Sequence, residues 1–185
     1  VAEKLANSIC TDAGQFCTKP GLIFIPNGPS GENFTRVLKE FVAETKAVPM
    51  LHPNIHLNFE NGKKEIASIS NVKSSNSSLT QNGIEGRWAL AETDVPTLLK
   101  NKRLKEEVFG PFSLLVTYNS TEELQAGLEA ISGQLTGSIF YEKHSGLVTD
   151  CIEILTQKAG RIILNDVPTG VRVSETMHHG GPFPA

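Results

Sequence analysis

The chain has 185 residues, 17 Lys and Arg against 20 Asp and Glu, a net charge of −3 and 39% apolar residues. That balance excludes a mainly disordered chain, and a pI near 6.0 supplies no basic footprint for nucleic acid. No apolar run approaches the ~20 residues that span a bilayer, and the length suits a single domain with a real core.

Residues 2–10 read as a short helix, followed by a turn region from Gly14 to Gly21. Leu22-Ile23-Phe24-Ile25 is bounded by Gly and Pro and predicts a buried strand. Ser30 stands just before a helical pattern with Phe34, Val37, Leu38, Phe41 and Val42 on one face. Another helix is predicted from Asn54 to about Ser68, with Ile55, Phe59 and Ile66 inward; residues 70–83, rich in Ser and Asn, read as a surface connection. Arg87 to Thr93 and Phe112 to Tyr118 predict strands. Ser120-Thr-Glu-Glu123 is a capping-box pattern that opens a helix to about Ile131. Leu135 to Tyr141 reads as a strand, Gly146 to Lys158 as a helix and Arg161 to Asn165 as a strand, with Gly160 as the C′ residue between the last two. This alternation predicts an α/β fold: an open, mostly parallel twisted sheet of about five strands with flanking helices. Sites in such sheets form at the carboxyl ends of strands and in the loops beyond them.

Three cysteines, Cys10, Cys17 and Cys151, make no disulfide framework and fit the reduced thiols of a cytoplasmic protein. Cys10 and Cys151 fall in helical patterns and read as core. Cys17 lies in Gly14-Gln-Phe-Cys-Thr-Lys-Pro-Gly21, where glycines and a proline allow a tight backbone with little side-chain cover. A thiolate there is a candidate nucleophile, with loop N–H groups available to an oxyanion; the alternative is a small buried hydrophobe. In Glu106-Glu107-Val-Phe-Gly-Pro111 a carboxylate can accept from a sugar diol while Phe109 packs on a flat ring, or the stretch is a charged helix end and a turn. The tail from Asn165 to Ala185 has no strand or helix period, and an irregular segment of about 20 residues is unusual unless functional or flexible. His178 and His179 suggest a Cys–His couple or a metal. Adjacent histidines point apart, however, and no Cys or carboxylate cluster accompanies them. His52 and His56 are four apart but lack a third ligand, so they read as surface histidines and no metal site is expected. Neither a Gly-x-Gly-x-x-Gly fingerprint nor a phosphate-binding Gly-Lys-Ser/Thr loop occurs.

Taken together, these stretches resemble the aldehyde dehydrogenase superfamily. Gly14-Gln15-Phe16-Cys17 is similar to its Gly-Gln-x-Cys nucleophile motif, and Glu106-Glu107-Val108-Phe109-Gly110-Pro111 to its Glu-Glu-x-Phe-Gly-Pro motif. The longer strings through Gly21, and Pro168-Thr-Gly-Val with His179-Gly-Gly-Pro-Phe-Pro-Ala185, resemble the branch of 2-oxoglutarate semialdehyde dehydrogenases and some bacterial fatty aldehyde dehydrogenases. The resemblance implies oxidation of an aldehyde to its acid: Cys17 attacks the carbonyl, hydride leaves the thiohemiacetal to NAD or NADP, and water hydrolyses the resulting thioester. It implies that the Cys17 N–H supplies half of the oxyanion site, that Glu107 holds the nicotinamide ribose and that Phe109 packs near the nicotinamide. Phe16, Thr18, Pro168 and His179 would contact substrate, and Arg172 is a candidate for a substrate carboxylate.

In that family the general-base glutamate, the oxyanion-site Asn and the dinucleotide-binding domain lie farther upstream than the sixteen residues before Cys17, and an oligomerising arm follows. Glu3 and Asp12 are the acids before Cys17, and neither stands in the motif. Residues 1–185 are thus expected to be a single thiol-bearing catalytic domain, with the N-terminal dinucleotide-binding domain and C-terminal arm absent and little activity alone. A first residue other than Met suggests a processed chain or a fragment. Expected partners are the aldehyde, the missing domain of the same chain and further copies in an oligomer, with neither nucleic acid nor membrane. Two other readings are a non-catalytic binding or assembly module, and a cysteine hydrolase pairing Cys17 with His178 or His179 and needing an orienting carboxylate.

Overall fold

The computed structural model describes residues 1–77, 83–169 and 174–185. Helix α1 (Ala2–Cys10) turns Ala2, Leu5, Ala6 and Ile9 inward, and a 3-10 turn (Thr11–Gly14) leads toward strand β1 (Leu22–Pro26). Helix α2 (Pro29–Glu44) starts one residue before Ser30, because Pro29 presets the first helical φ and Gly28, at φ +107°, makes the reversal out of β1. Its Leu38 and Val42 join α1 in a fully buried cluster against Ile25 and Leu115. A two-residue strand β2 (Val48–Pro49) precedes α3 (Pro53–Ala67), whose inward residues are Phe59, Gly62 and Ile66.

The polar stretch predicted as a connection contains strand β3 (Lys73–Asn76), which pairs antiparallel with β5 (Ala89–Asp94) from Lys73↔Glu92 to Asn76↔Ala89. Lys and Ser suit an edge strand, where one side of the ladder faces water; alternation read without a partner could not show it. Strand β4 (Glu85–Gly86) pairs with β2. Asp94 ends β5 and starts α4 (Val95–Lys100) by accepting the Thr97 N–H at 2.8 Å. Strand β6 (Phe112–Tyr118) is the centre of the main sheet, with the order β1-β6-β5-β3 and β1, β6 and β5 parallel. Ser120 caps α5 (Thr121–Glu129) at the Glu123 N–H, and the Glu123 carboxylate accepts from the Asn119 N–H, one residue before the cap.

Strands β7 (Gln134–Ile139) and β8 (Ala159–Leu164) enclose α6 (Gly146–Thr156) in sequence and pair parallel with one another. The α/β class and the mostly parallel open sheet with flanking helices are observed, but the expected single sheet of about five strands is not. The main sheet has four strands among the described residues, and β7–β8 stand apart. Side chains make the junction: Leu124 and Leu128 of α5 and Cys151 and Leu155 of α6 pack with Ile139, Phe24 and Tyr118. A cleft of about 730 Å³ runs between β1 and β7. Its presence leaves Leu22, Ile23 and Phe24 half-buried, so β1 is not the fully buried strand its composition predicts.

Gly160 is also not a helix cap. It lies inside β8, and Gln157 caps α6. A Cβ on Gly160 would stand 1.6 Å from the Gly180 carbonyl oxygen, so glycine is there to let the tail cross the strand. The tail is further tied by the Gly133 N–H donating to the Phe183 carbonyl at 3.3 Å.

Candidate functional site

Three consecutive residues ahead of Cys17 occupy the left-handed region: Asp12 at φ +48°, Ala13 at +55° and Gly14 at +62°. For Asp12 and Ala13 this is a conformation that the β-carbon disfavours, and it is held by the surroundings. Ala13 is buried, and Gln15 spans the turn, donating to the Asp12 carbonyl at 2.9 Å and accepting from the Leu51 N–H at 2.8 Å. The chain then bends again, with the Lys19 N–H bonded to the Phe16 carbonyl at 3.1 Å. Cys17 is exposed at the tip of this bend, while Thr18 and Lys19 turn inward and are buried.

The terminal segment returns to the sulfur. The Cys17 Sγ lies 3.4 Å from the His179 Nε2. Three contacts from other elements hold that segment: Lys4 with Asp166 at 3.0 Å, the hydroxyls of Ser8 and Thr169, and the Arg161 guanidinium donating to the His178 carbonyl at 3.1 Å. Lys4 and the Val167 N–H hold the Asp166 carboxyl below the usual range. These contacts came from residues that sequence reasoning passed over. No local pattern marks them, because each acts across more than a dozen residues.

The second motif approaches from behind. A Cβ on Gly14 would be 2.5 Å from the Gly110 carbonyl carbon, so the two loops meet backbone to backbone. Gly110, at φ +140°, rests on the Phe59 ring. Glu106 pairs with Arg103 at 3.8 Å, and Arg103 also pairs with Glu65 at 2.8 Å. Glu107 is exposed and has no hydrogen bond or ion pair among the described residues, leaving its oxygens open as acceptors; Phe109 beside it is half-buried. Lys19 bridges the two loops, its Nζ donating to the Phe112 carbonyl at 2.6 Å and the Val108 carbonyl at 3.4 Å. Burial pulls its pKa down to about 8, partly opposed by the charge of Glu107.

The cleft between β1 and β7 is lined by Cys17, Thr18 and Pro168 among others; Phe16, half-buried, is not in its lining. Arg172 lies outside the described residues. The His178 ring lies over Gly180, where an added Cβ would sit 2.8 Å from its Nε2. His52 caps α3 through its Nδ1, which accepts from the Asn54 N–H at 3.1 Å, and His56 lies 3.9 Å from the Glu60 carboxylate. No group of His, Cys, Asp and Glu among the described residues could hold a metal ion. Of the other thiols, burial raises the pKa of Cys10 against a hydrogen bond with Thr45, and raises that of Cys151 with help from the charge of Asp150.

An accessible sulfur touching an imidazole, on a loop tightened by left-handed residues, can exchange a proton with the ring and attack a carbonyl carbon. Among the described residues no carboxylate hydrogen-bonds to His179, so the third member of a Cys-His-acid hydrolase is not seen.

No family model matches the chain. It is 34% identical over 187 residues to "Alpha-ketoglutaric semialdehyde dehydrogenase 2" of Azospirillum brasilense, covering 100% of this chain and 36% of that protein. It is likewise 34% identical over 188 residues to "Alpha-ketoglutaric semialdehyde dehydrogenase" of Acinetobacter baylyi, with the same coverage. Lactaldehyde dehydrogenase from Escherichia coli superposes with a TM-score of 0.76 at 18% identity, over 97% of this chain and 38% of that one, a likeness of fold. The fold is thus shared with aldehyde dehydrogenases, and in sequence the chain is similar to the two semialdehyde dehydrogenases and spans about a third of their length.

Proposed function

We propose that residues 1–185 form the thiol-bearing catalytic domain of an NAD(P)-dependent aldehyde dehydrogenase whose substrate is a semialdehyde such as 2-oxoglutarate semialdehyde, with the dinucleotide-binding domain and an oligomerising arm lying outside this span. The observation that carries the reading is the exposed Cys17 sulfur in contact with His179. The names of the two relatives support the substrate class.

In this reading Cys17 gives its proton to the His179 Nε2 and its sulfur bonds to the aldehyde carbon. The Cys17 backbone N–H donates to the oxygen that becomes negative. The chain's fit to a nicotinamide dinucleotide is confined to one end: the open carboxylate of Glu107 suits a ribose diol, Phe109 suits a flat ring, and no loop in this sequence has the glycine pattern of a pyrophosphate cradle. When bound, the dinucleotide supplies the two-electron acceptor that takes the Cys17 adduct to a thioester. Water then releases the acid and returns the sulfur to His179. The base for that water and the second oxyanion donor are assigned to the part of the protein outside this span, so this span alone is expected to turn over poorly, because such groups act as a unit. Thr18 and Pro168 line the same cleft as Cys17, and Phe16 precedes Cys17 in sequence. The three free thiols agree with a cytoplasmic setting, and no helix among the described residues is long and apolar enough to cross a membrane.

The test is aldehyde-dependent reduction of NAD and NADP by the full-length protein beside its Cys17→Ser variant. Loss of turnover by about a thousandfold or more is expected; unchanged turnover ends the reading. The Cys17–His179 contact also favours one rival, a cysteine hydrolase. Ester or amide hydrolysis by the full-length protein without nucleotide, lost with Cys17→Ser, would select that rival instead.

A further inference from the structure

Lys19 is a buried cation that none of the steps above uses. The residue is 8% exposed and makes no ion pair among the described residues, so its ammonium is held by backbone dipoles. The two carbonyls it engages, Val108 and Phe112, bracket Phe109-Gly110-Pro111. The same stretch is seated at Gly110 on Gly14 in front and on Phe59 behind. Just beyond, the Ser113 hydroxyl donates to the Pro20 carbonyl and the Leu114 N–H to the Gly21 carbonyl at 2.9 Å, which starts the β1–β6 ladder. Residues 19–21 and 108–114 are thus stitched along their length, and Lys19 makes the side-chain cross-brace nearest both Cys17 and Glu107. The charge of Glu107 favours this ammonium without pairing with it directly, and an ammonium so incompletely compensated is expensive to bury, whereas a methionine would fill comparable space without that cost. Its presence calls for a role that an apolar side chain does not fill.

We propose that Lys19 is a positioning residue: its ammonium pins the backbone on both sides of Phe109-Gly110-Pro111 to the nucleophile loop and thereby sets where the Glu107 carboxylate stands relative to Cys17. This rests on the reading of Glu107 as the ribose-binding acid. Without the brace the two loops keep their apolar contacts, but the 106–109 segment gains freedom at the end that meets the nucleotide. The sulfur, held by the turn at residues 12–16 and by His179, keeps its setting. Removal of the charge therefore separates two properties that general loosening would degrade together.

The experiment measures two quantities in the full-length protein: NAD or NADP affinity by calorimetry, and the rate of Cys17 alkylation by iodoacetamide without nucleotide. Lys19→Met should weaken nucleotide binding by about tenfold or more, since misplacement of a positioning group by about 1 Å is costly, with alkylation within about twofold of wild type. Lys19→Gln, whose amide can still donate to one carbonyl, should lose less. Unchanged affinity in Lys19→Met overturns the proposal, as does a parallel fall of affinity, alkylation and urea midpoint in both variants, which marks ordinary core packing. If Lys19→Met does not fold, Lys19→Gln decides: about threefold weaker binding at unchanged alkylation supports the brace, and unchanged binding, or a failure to fold as well, overturns it. A Glu107→Gln variant in the same titration keeps the two readings apart. Wild-type affinity there ends the assignment of Glu107, and with it this proposal. Weakened binding there beside unaltered Lys19→Met overturns the brace alone.

Discussion

Cys17 and His179 lie 162 positions apart in the chain, yet the sulfur of one stands 3.4 Å from the Nε2 of the other. If the ring takes the thiol proton, the reactivity of Cys17 depends on it. His179→Ala should slow iodoacetamide alkylation of Cys17 at neutral pH by about tenfold or more, within the range that a positioned base contributes. Mass spectrometry of the labelled peptide distinguishes Cys17 from the half-buried Cys10 and the buried Cys151, whose thiols, pushed up in pKa by burial, should stay slow in both proteins. Equal rates with and without the imidazole would show the contact to be chemically idle.

The seat between the two motifs depends on a missing side chain. A Cβ on Gly110 would meet the Phe59 ring at 2.4 Å, and the backbone there is at φ +140°. Phe59 is 1% exposed and cannot swing away. Gly110→Ala should cost about 3 kcal/mol from overpacking and backbone strain together, read as a lower urea midpoint.

Lys19 also leaves a mark on the pH dependence of stability. Its pKa is about 8 in the folded protein against an ordinary 10.5. Below about pH 8 both states hold the proton, and the cost of burying the ammonium is fully present. Between about pH 8 and 10.5 the unfolded chain binds a proton that the native one has released, so stability from this group rises with pH, by up to ~3 kcal/mol. Denaturant titrations from pH 7.5 to 10.5 should show the wild type gaining on Lys19→Met across that window. Parallel curves would mean that the amine ionises as it does in water.

Asp94 ends a strand and opens a helix within one residue, its Oδ1 accepting from the Thr97 N–H at 2.8 Å. Asp94→Ala should cost about 1 kcal/mol, and Asp94→Asn should recover most of it, because either side chain supplies a capping oxygen. A chemical-denaturation series over the three proteins checks the order.

The helices and strands were largely legible because their signals are local. Leu5, Ala6 and Ile9 recur on one face of α1, and Ser120 with Glu123 marks the start of α5 within four residues. The sulfur and its loop could be singled out for the same reason: Gly14, Pro20 and Gly21 crowd one short stretch around Cys17. Where the reading failed, the cause was a partner distant in sequence. Lys73–Asn76 is a strand only because β5 offers it a ladder, and Gly160 is a glycine because the Gly180 carbonyl passes over it, not because a helix ends there.

By themselves, then, the residues determined the α/β alternation and the stretches able to carry chemistry, since helix period, turn residues and caps act over a few positions. Tertiary structure decided which of the two adjacent histidines reaches the sulfur, that Lys19 turns inward rather than to solvent, and that β7 and β8 stand off from the main sheet. Each of those outcomes depends on packing between segments far apart in the chain, where burial, close backbone approach and hydrogen-bond geometry act only once the elements have met.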